Sequence, residues 1–297
     1  MQAKHRRWAV WALLTLAALT VLLAASASAS AHPGKHVYVL ALGDSWTAGT
    51  QPTGPQTVPF GSPDQEINRS GEGYADQLVA SLRRQGMKVD LVNLACNRET
   101  TQTMIDGVGS LCTYPHGSQL EEARQFLHAH GKRTLAVVMS VGAADAMFSC
   151  APFDHACWVG RAADAGTNLA TILGSLRAEA GDVPILTSNY WDPFLAAWVF
   201  PPLGGPPAAY YSVQFLAEPI DLIEAAYAPF DATIVDTWAL FETENFVDTT
   251  TLPVFGTVPV NVANICTYTW MCTWGDAHPN SAGYGLIADA FEQALAP

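Results

Sequence analysis

Short apolar runs rich in β-branched residues alternate with longer helix-patterned stretches along this chain, and that alternation leaves few folds open to it. Strands are predicted at 36–42 (HVYVLAL), 88–93 (KVDLVN), 134–141 (TLAVVMSV), 183–188 (VPILTS) and 231–236 (DATIVD). Helices are predicted at 72–85, 118–130, 160–180, 211–228 and 281–295. Strands separated by helix-length segments cannot close as tight hairpins, so they pair in parallel and the helices cover both faces of one sheet. The runs at 134–141 and 183–188 are almost continuously apolar, as expected of strands buried on both sides. No internal repeat and no interdomain linker interrupts the pattern. Two segments stand outside it, 190–211 (YWDPFLAAWVFPPLGGPPAAYY) and 237–274, both rich in aromatics. They read as long ordered loops, either lids and substrate walls or covers whose aromatics fill satellite cores.

The first 31 residues have the three-part pattern of a secretory signal. Lys4, His5, Arg6 and Arg7 precede an apolar run over 8–24, and Ala29-Ser30-Ala31 is a small-x-small exit, so cleavage is expected after Ala31. An uncleaved anchor is the alternative, since the run is about long enough to cross a bilayer. Cleavage leaves a single domain over 32–297. It removes three of the 14 lysines and arginines and none of the 27 acids, which moves the formal charge from −13 to −16. Such an acidic surface repels phosphate backbones, so nucleic acid is not an expected partner. The six cysteines, Cys96, Cys112, Cys150, Cys157, Cys266 and Cys272, all follow the signal. An even number in an exported chain points to disulfides, and the local pairs 96–112, 150–157 and 266–272 are the expected ones. No CxxC spacing supports a zinc site, and no metal is expected.

The first predicted strand runs into ALGDSWTAGT (41–50), which places Gly43, Asp44 and Ser45 at its carboxyl end. Ligands of open α/β sheets bind beyond such ends. Ser45 is therefore either a nucleophile or part of a polar turn. A serine hydroxyl attacks only when an imidazole takes its proton. Of eight histidines, His5 lies in the signal, and His32 and His36 lie near the mature start. His128 and His130 sit on a polar helix, and His116 and His155 fall in the expected disulfide loops. His278, in GDAHPNSAGY, remains: Pro279 and Asn280 stiffen its turn and Ser281 is the expected cap of the last helix. Ser45 and His278 are expected to come within hydrogen-bonding reach.

GDSWTAG near the mature amino terminus and Asp-x-His-Pro-Asn before a Gly-Tyr helix together resemble the SGNH hydrolases, also called GDSL esterases and lipases. NLACNRETTQTM (93–104) and MSVGAADAM (139–147) fall where that family has its second and third blocks. The cysteines and GSQLEEARQFLHAHG resemble its secreted actinobacterial branch. The resemblance implies a three-layer α/β/α sandwich with a flavodoxin-like, parallel, five-stranded sheet. It also implies ester hydrolysis through an acyl-enzyme and no cofactor; a small-molecule or lipid ester is the expected substrate, and the chain is expected to be a monomer. It makes Ser45 the nucleophile and first oxyanion donor, His278 the general base, and Asp44 a structural residue of the turn. Two family positions differ. The second-block glycine, a backbone oxyanion donor, is Arg98, which keeps that role only if arginine accepts the local dihedrals. The third-block asparagine, a side-chain donor, is Ala144, and loss of one such donor typically costs on the order of 10²- to 10³-fold in rate. Weak activity is expected unless another donor, such as the Arg98 guanidinium, substitutes. The histidine's partner is either Asp276, two residues before it, or a main-chain carbonyl at 273–275. A secreted ester hydrolase is the leading expectation, a lipid- or glycan-binding protein on the same scaffold the alternative.

Overall fold

The computed structural model describes residues 36–55, 68–69 and 71–296 of the 297-residue chain, and the expected signal at 1–31 lies outside the described residues. In chain order the strands are β1 (Val37–Gly43), β2 (Thr50–Gln51), β3 (Asn68–Arg69), β4 (Val89–Asn93), β5 (Thr134–Ser140), β6 (Ile185–Ser188), β7 (Ala232–Val235), β8 (Thr249–Leu252) and β9 (Gly256–Pro259). The helices are α1 (Ser45–Ala48), α2 (Tyr74–Arg84), α3 (Thr101–Asp106), α4 (Gln119–His130), α5 (Ala143–Met147), α6 (His155–Ala180), α7 (Gly205–Ala225), α8 (Thr237–Leu240), α9 (Val260–Tyr268), α10 (Met271–Trp274) and α11 (Ser281–Leu295).

Five parallel strands in the order β4-β1-β5-β6-β7 form the main sheet: the parallel pairing expected from the alternation, in the flavodoxin-like order that the resemblance implies. Helices α2 and α11 pack together as one flanking layer, and α4, α6 and α7 pack side by side as the other. The middle of β1, from Val39 to Leu42, is wholly inaccessible, as are Ala136 to Met139 of β5. Their apolar runs are the sequence expression of a sheet covered on both faces. The order reverses at β1, whose neighbours β4 and β5 lie on either side of it. The connections leaving β1 and β5 therefore diverge and open a crevice at the carboxyl edge.

The two segments read as loops carry more structure than expected. The first holds two 3₁₀ turns, at Pro193–Val199 and Pro201–Leu203, and α7 begins at Gly205 rather than near 211. Pro206 and Pro207 lie in the first turn of α7, where a missing N–H costs nothing, so the prolines start the helix. The second holds α8, the β8–β9 hairpin, α9 and α10. Its aromatics fill cores: Phe241 is in the main core, and Phe255, with Trp198 of the first segment, backs a small second core of Val258, Val262 and Ala263, as expected of covers over satellite cores. The cap of α11 is Asn280, whose side chain accepts the Gly283 N–H, and not Ser281. The disulfides join Cys96 to Cys112, Cys150 to Cys157 and Cys266 to Cys272, in the segments that follow β4, β5 and β7.

Candidate active site

Gly43 ends β1 with φ of 114°, and a Cβ there would lie 2.0 Å from the Ser140 carbonyl oxygen. Only glycine fits between β1 and β5 at this point. Gln119 pairs its side-chain amide with both the N–H and the carbonyl of Gly43, which fixes the strand end further. Asp44 then caps α1, accepting the Trp46 N–H at 3.0 Å, and also accepts the Tyr190 hydroxyl at 3.3 Å. Burial raises the Asp44 carboxyl to about 7, against the lowering effects of the Trp46 N–H, the His278 charge and the Tyr190 hydroxyl. Asp44 is thus a buried structural residue of the turn, as expected, and Ser45 follows it, half-buried, as the first residue of α1.

The His278 loop is brought to this end by several long-range ties. The Tyr284 hydroxyl of α11 donates to the Thr50 carbonyl at 2.8 Å, and the Trp270 indole donates to Gln51 at 3.2 Å. The Trp270 N–H donates to the His278 carbonyl at 3.0 Å, and Thr269 bridges Pro279. Gly275, with φ of 71°, reverses the chain after α10 so that Asp276 points back at the histidine. One oxygen of Asp276 lies 2.7 Å from His278 Nδ1 and 2.8 Å from the His278 backbone nitrogen. Asp276 is buried, which raises its carboxyl, but the His278 charge and both hydrogen bonds more than offset this, and it lies below its ordinary value. Of the two expected partners for the ring, the carboxylate is the one in place. His278 Nε2 is buried without a hydrogen-bond partner among the described residues. The expected bond from Ser45 is therefore not closed in this arrangement, although such bonds commonly tighten only when substrate binds.

The other histidines sit elsewhere. His36 precedes the amino end of β1 and pairs with Asp90; His128 and His130 end α4, just before the amino end of β5. His128 faces Glu179, His116 faces Glu122 and His155 faces Glu218. His5 and His32 lie outside the described residues.

The connection after β4 carries Arg98 with φ of 60°, the left-handed conformation that glycine favours. Arginine does accept it, so the backbone N–H keeps a glycine-like orientation. The turn is held by the Cys96 N–H on the Gly43 carbonyl and by the Cys96–Cys112 disulfide. It is held also by Thr101, whose N–H and hydroxyl bind the two oxygens of Asp145 at 2.9 and 2.6 Å. Asp145 belongs to the same third block as Ala144 and clamps the second block to it. Ala144 is buried in α5. Asp145, Gln119 and Tyr190 were not singled out from sequence, although Asp145 and Gln119 stand inside motifs that were. Their partners lie 44 to 146 residues away, and no local pattern reports such contacts.

Beside the site is an apolar cavity of about 50 Å³ lined by Trp46, Ala143, Met147, Trp191, Phe194 and Ile223, among others. Trp46 stacks on Trp191 at 3.7 Å between centroids, and Trp191 on Phe241 at 4.9 Å, so its aromatic wall is rigid.

Among solved structures the fold resembles that of the lipase Lip_vut3 from a goat rumen metagenome, at 14% identity and a TM-score of 0.52, covering 87% of this chain and 97% of that one. It also resembles a GDSL-like lipase candidate from Parabacteroides merdae ATCC 43184, at 12% identity and a TM-score of 0.51, covering 88% and 96%. At such identities the likeness is one of fold. No curated protein matches the chain in a sequence search. The model of the GDSL-like Lipase/Acylhydrolase family matches residues 41–286. That span runs from inside β1 into α11 and takes in Ser45 and His278 alike, and on it the chain belongs to the GDSL-like lipase/acylhydrolase family.

Proposed function

We propose that the chain is a secreted serine esterase that cleaves carboxylic esters through an acyl-enzyme on Ser45. The reading is carried by the His278 imidazole, held by Asp276 at Nδ1 while Nε2 stays buried and unpaired at the strand end that bears Ser45. Nε2 takes the Ser45 proton as Oγ adds to the ester carbonyl carbon. The resulting oxyanion meets the backbone N–H groups of Ser45 and Arg98. Collapse breaks the bond to the alcohol, which leaves with the proton from His278; water then repeats the sequence and releases the acid.

The apolar cavity beside Ser45, lined by Trp46, Phe194 and Ile223 among others, suits the acyl group, and its small volume of about 50 Å³ favours short chains. Three disulfides suit an oxidising compartment, in keeping with export.

Turnover of p-nitrophenyl acetate and butyrate is expected to exceed that of the palmitate. Ser45→Ala and His278→Ala should each lower it by on the order of 10³-fold or more, and a fluorophosphonate should label Ser45. Equal rates for Ser45→Ala and the parent would end this reading. Ala144 favours one other, a ligand-binding protein on the same scaffold: binding of an acyl or glycan ligand without fluorophosphonate labelling would establish it.

A further inference from the structure

We infer that the Arg98 guanidinium is an additional oxyanion donor, replacing the side-chain amide that is absent at Ala144; this rests on Ser45 being the nucleophile. Strand order supplies the first reason. Ser45 follows β1, Arg98 lies in the connection after β4, and Ala144 and Phe148 follow β5, with β1 between β4 and β5. The Arg98 guanidinium carbon lies 4.8 Å from the centroid of the Phe148 ring. The connection after β4 itself crosses the end of β1, with the Cys96 N–H on the Gly43 carbonyl and Thr101 on Asp145 of α5, so Arg98 lies within the span that passes the strand end bearing the nucleophile and its side chain ends against α5.

The geometry of α5 supplies the second. Phe148 is four residues past Ala144 and donates its N–H to the Ala144 carbonyl at 3.3 Å, so the two share a face. Helical side chains lean toward the preceding turn, which brings the Phe148 ring, and the guanidinium stacked on it, over the surface where an asparagine at 144 would stand. Ala144 is buried and its methyl group offers no donor of its own. The guanidinium has five N–H groups in its plane, so contact of its central carbon with one ring leaves N–H groups to donate. A charged donor is also stronger than an amide. The base of the side chain is fixed, since residue 98 is held left-handed by the disulfide at Cys96 and by the Thr101–Asp145 clamp.

The test compares the parent with Arg98→Gly, Ala144→Asn and the double variant, reading kcat and KM separately on p-nitrophenyl butyrate, with Ser45→Ala as reference. Glycine suits a φ of 60° and retains the backbone donor, so Arg98→Gly deletes the guanidinium alone. We expect kcat to fall by on the order of 10²- to 10³-fold with KM little changed, and Ala144→Asn in that background to restore at least about tenfold. A kcat for Arg98→Gly at or above that of the parent overturns the inference, as does a change confined to KM. If parent turnover is still abolished by Ser45→Ala in either case, the esterase reading stands alone; if turnover is indifferent to Ser45→Ala, both fall.

Discussion

Asp276 takes two hydrogen bonds from one residue, the ring N–H and the main-chain N–H of His278, through a single oxygen. That arrangement fixes both the tautomer and the tilt of the imidazole. An asparagine in its place can present its amide nitrogen to Nδ1 and stabilise the wrong tautomer. We expect Asp276→Asn to lower kcat by on the order of 10⁴-fold with little effect on KM, measured on the same short esters. The sequence named both Asp276 and a carbonyl as candidates, because the choice depends on Gly275 adopting a positive φ, a property of three dimensions. Arg98 shows the same limit. Its position was readable from the trailing Glu-Thr-Thr, but its dihedral and its seat on Phe148 were not. Asp145, Gln119 and Tyr190 are buried polar residues whose importance lies wholly in distant partners.

At the scale of elements, the turn bearing Arg98 depends on the covalent tie from Cys96 to Cys112, 16 residues apart. Closing a loop of that length stabilises by about 3 kcal/mol in the chain-entropy account. For a domain of this size that corresponds to roughly 6–12 °C in Tm. Cys96→Ser/Cys112→Ser should melt lower by that amount in calorimetry, and a Tm unchanged from the parent would show that the turn holds without the bond. The strands and long helices were legible because period and length identified them. The 190–211 and 237–274 segments were not, because there aromatics pack in several directions at once and leave no single period to read. The early start of α7 was hidden by its prolines, which look like breakers until their place in the first turn is known.

For the whole molecule, buried acids tie stability to pH. Burial moves Asp44 and Asp192 each from an ordinary 3.8 to about 7, against the hydrogen bonds each accepts. Between about pH 4 and 7 the native chain holds these protons while the unfolded chain has released them. The contribution of these two acids to stability is therefore greatest below that window, falls through it, and is level above, by roughly 4 kcal/mol for each fully buried carboxyl, while Asp276, held below its ordinary value, acts in the opposite sense at lower pH. Asp192→Asn keeps acceptors and donors for Phe194 and Ser212 and removes one of the two. Its urea midpoint should gain on the parent's as pH rises from about 4 to 8; a constant gap would show that Asp192 does not titrate in this range. The three covalent staples sit only in the segments that follow β4, β5 and β7, and none joins strand to strand. The strands are thus held to one another by hydrogen bonds and packing alone, and every covalent tie lies in the connections around them. A copy kept among cellular thiols would give up all three ties, losing both overall stability and definition in those connections.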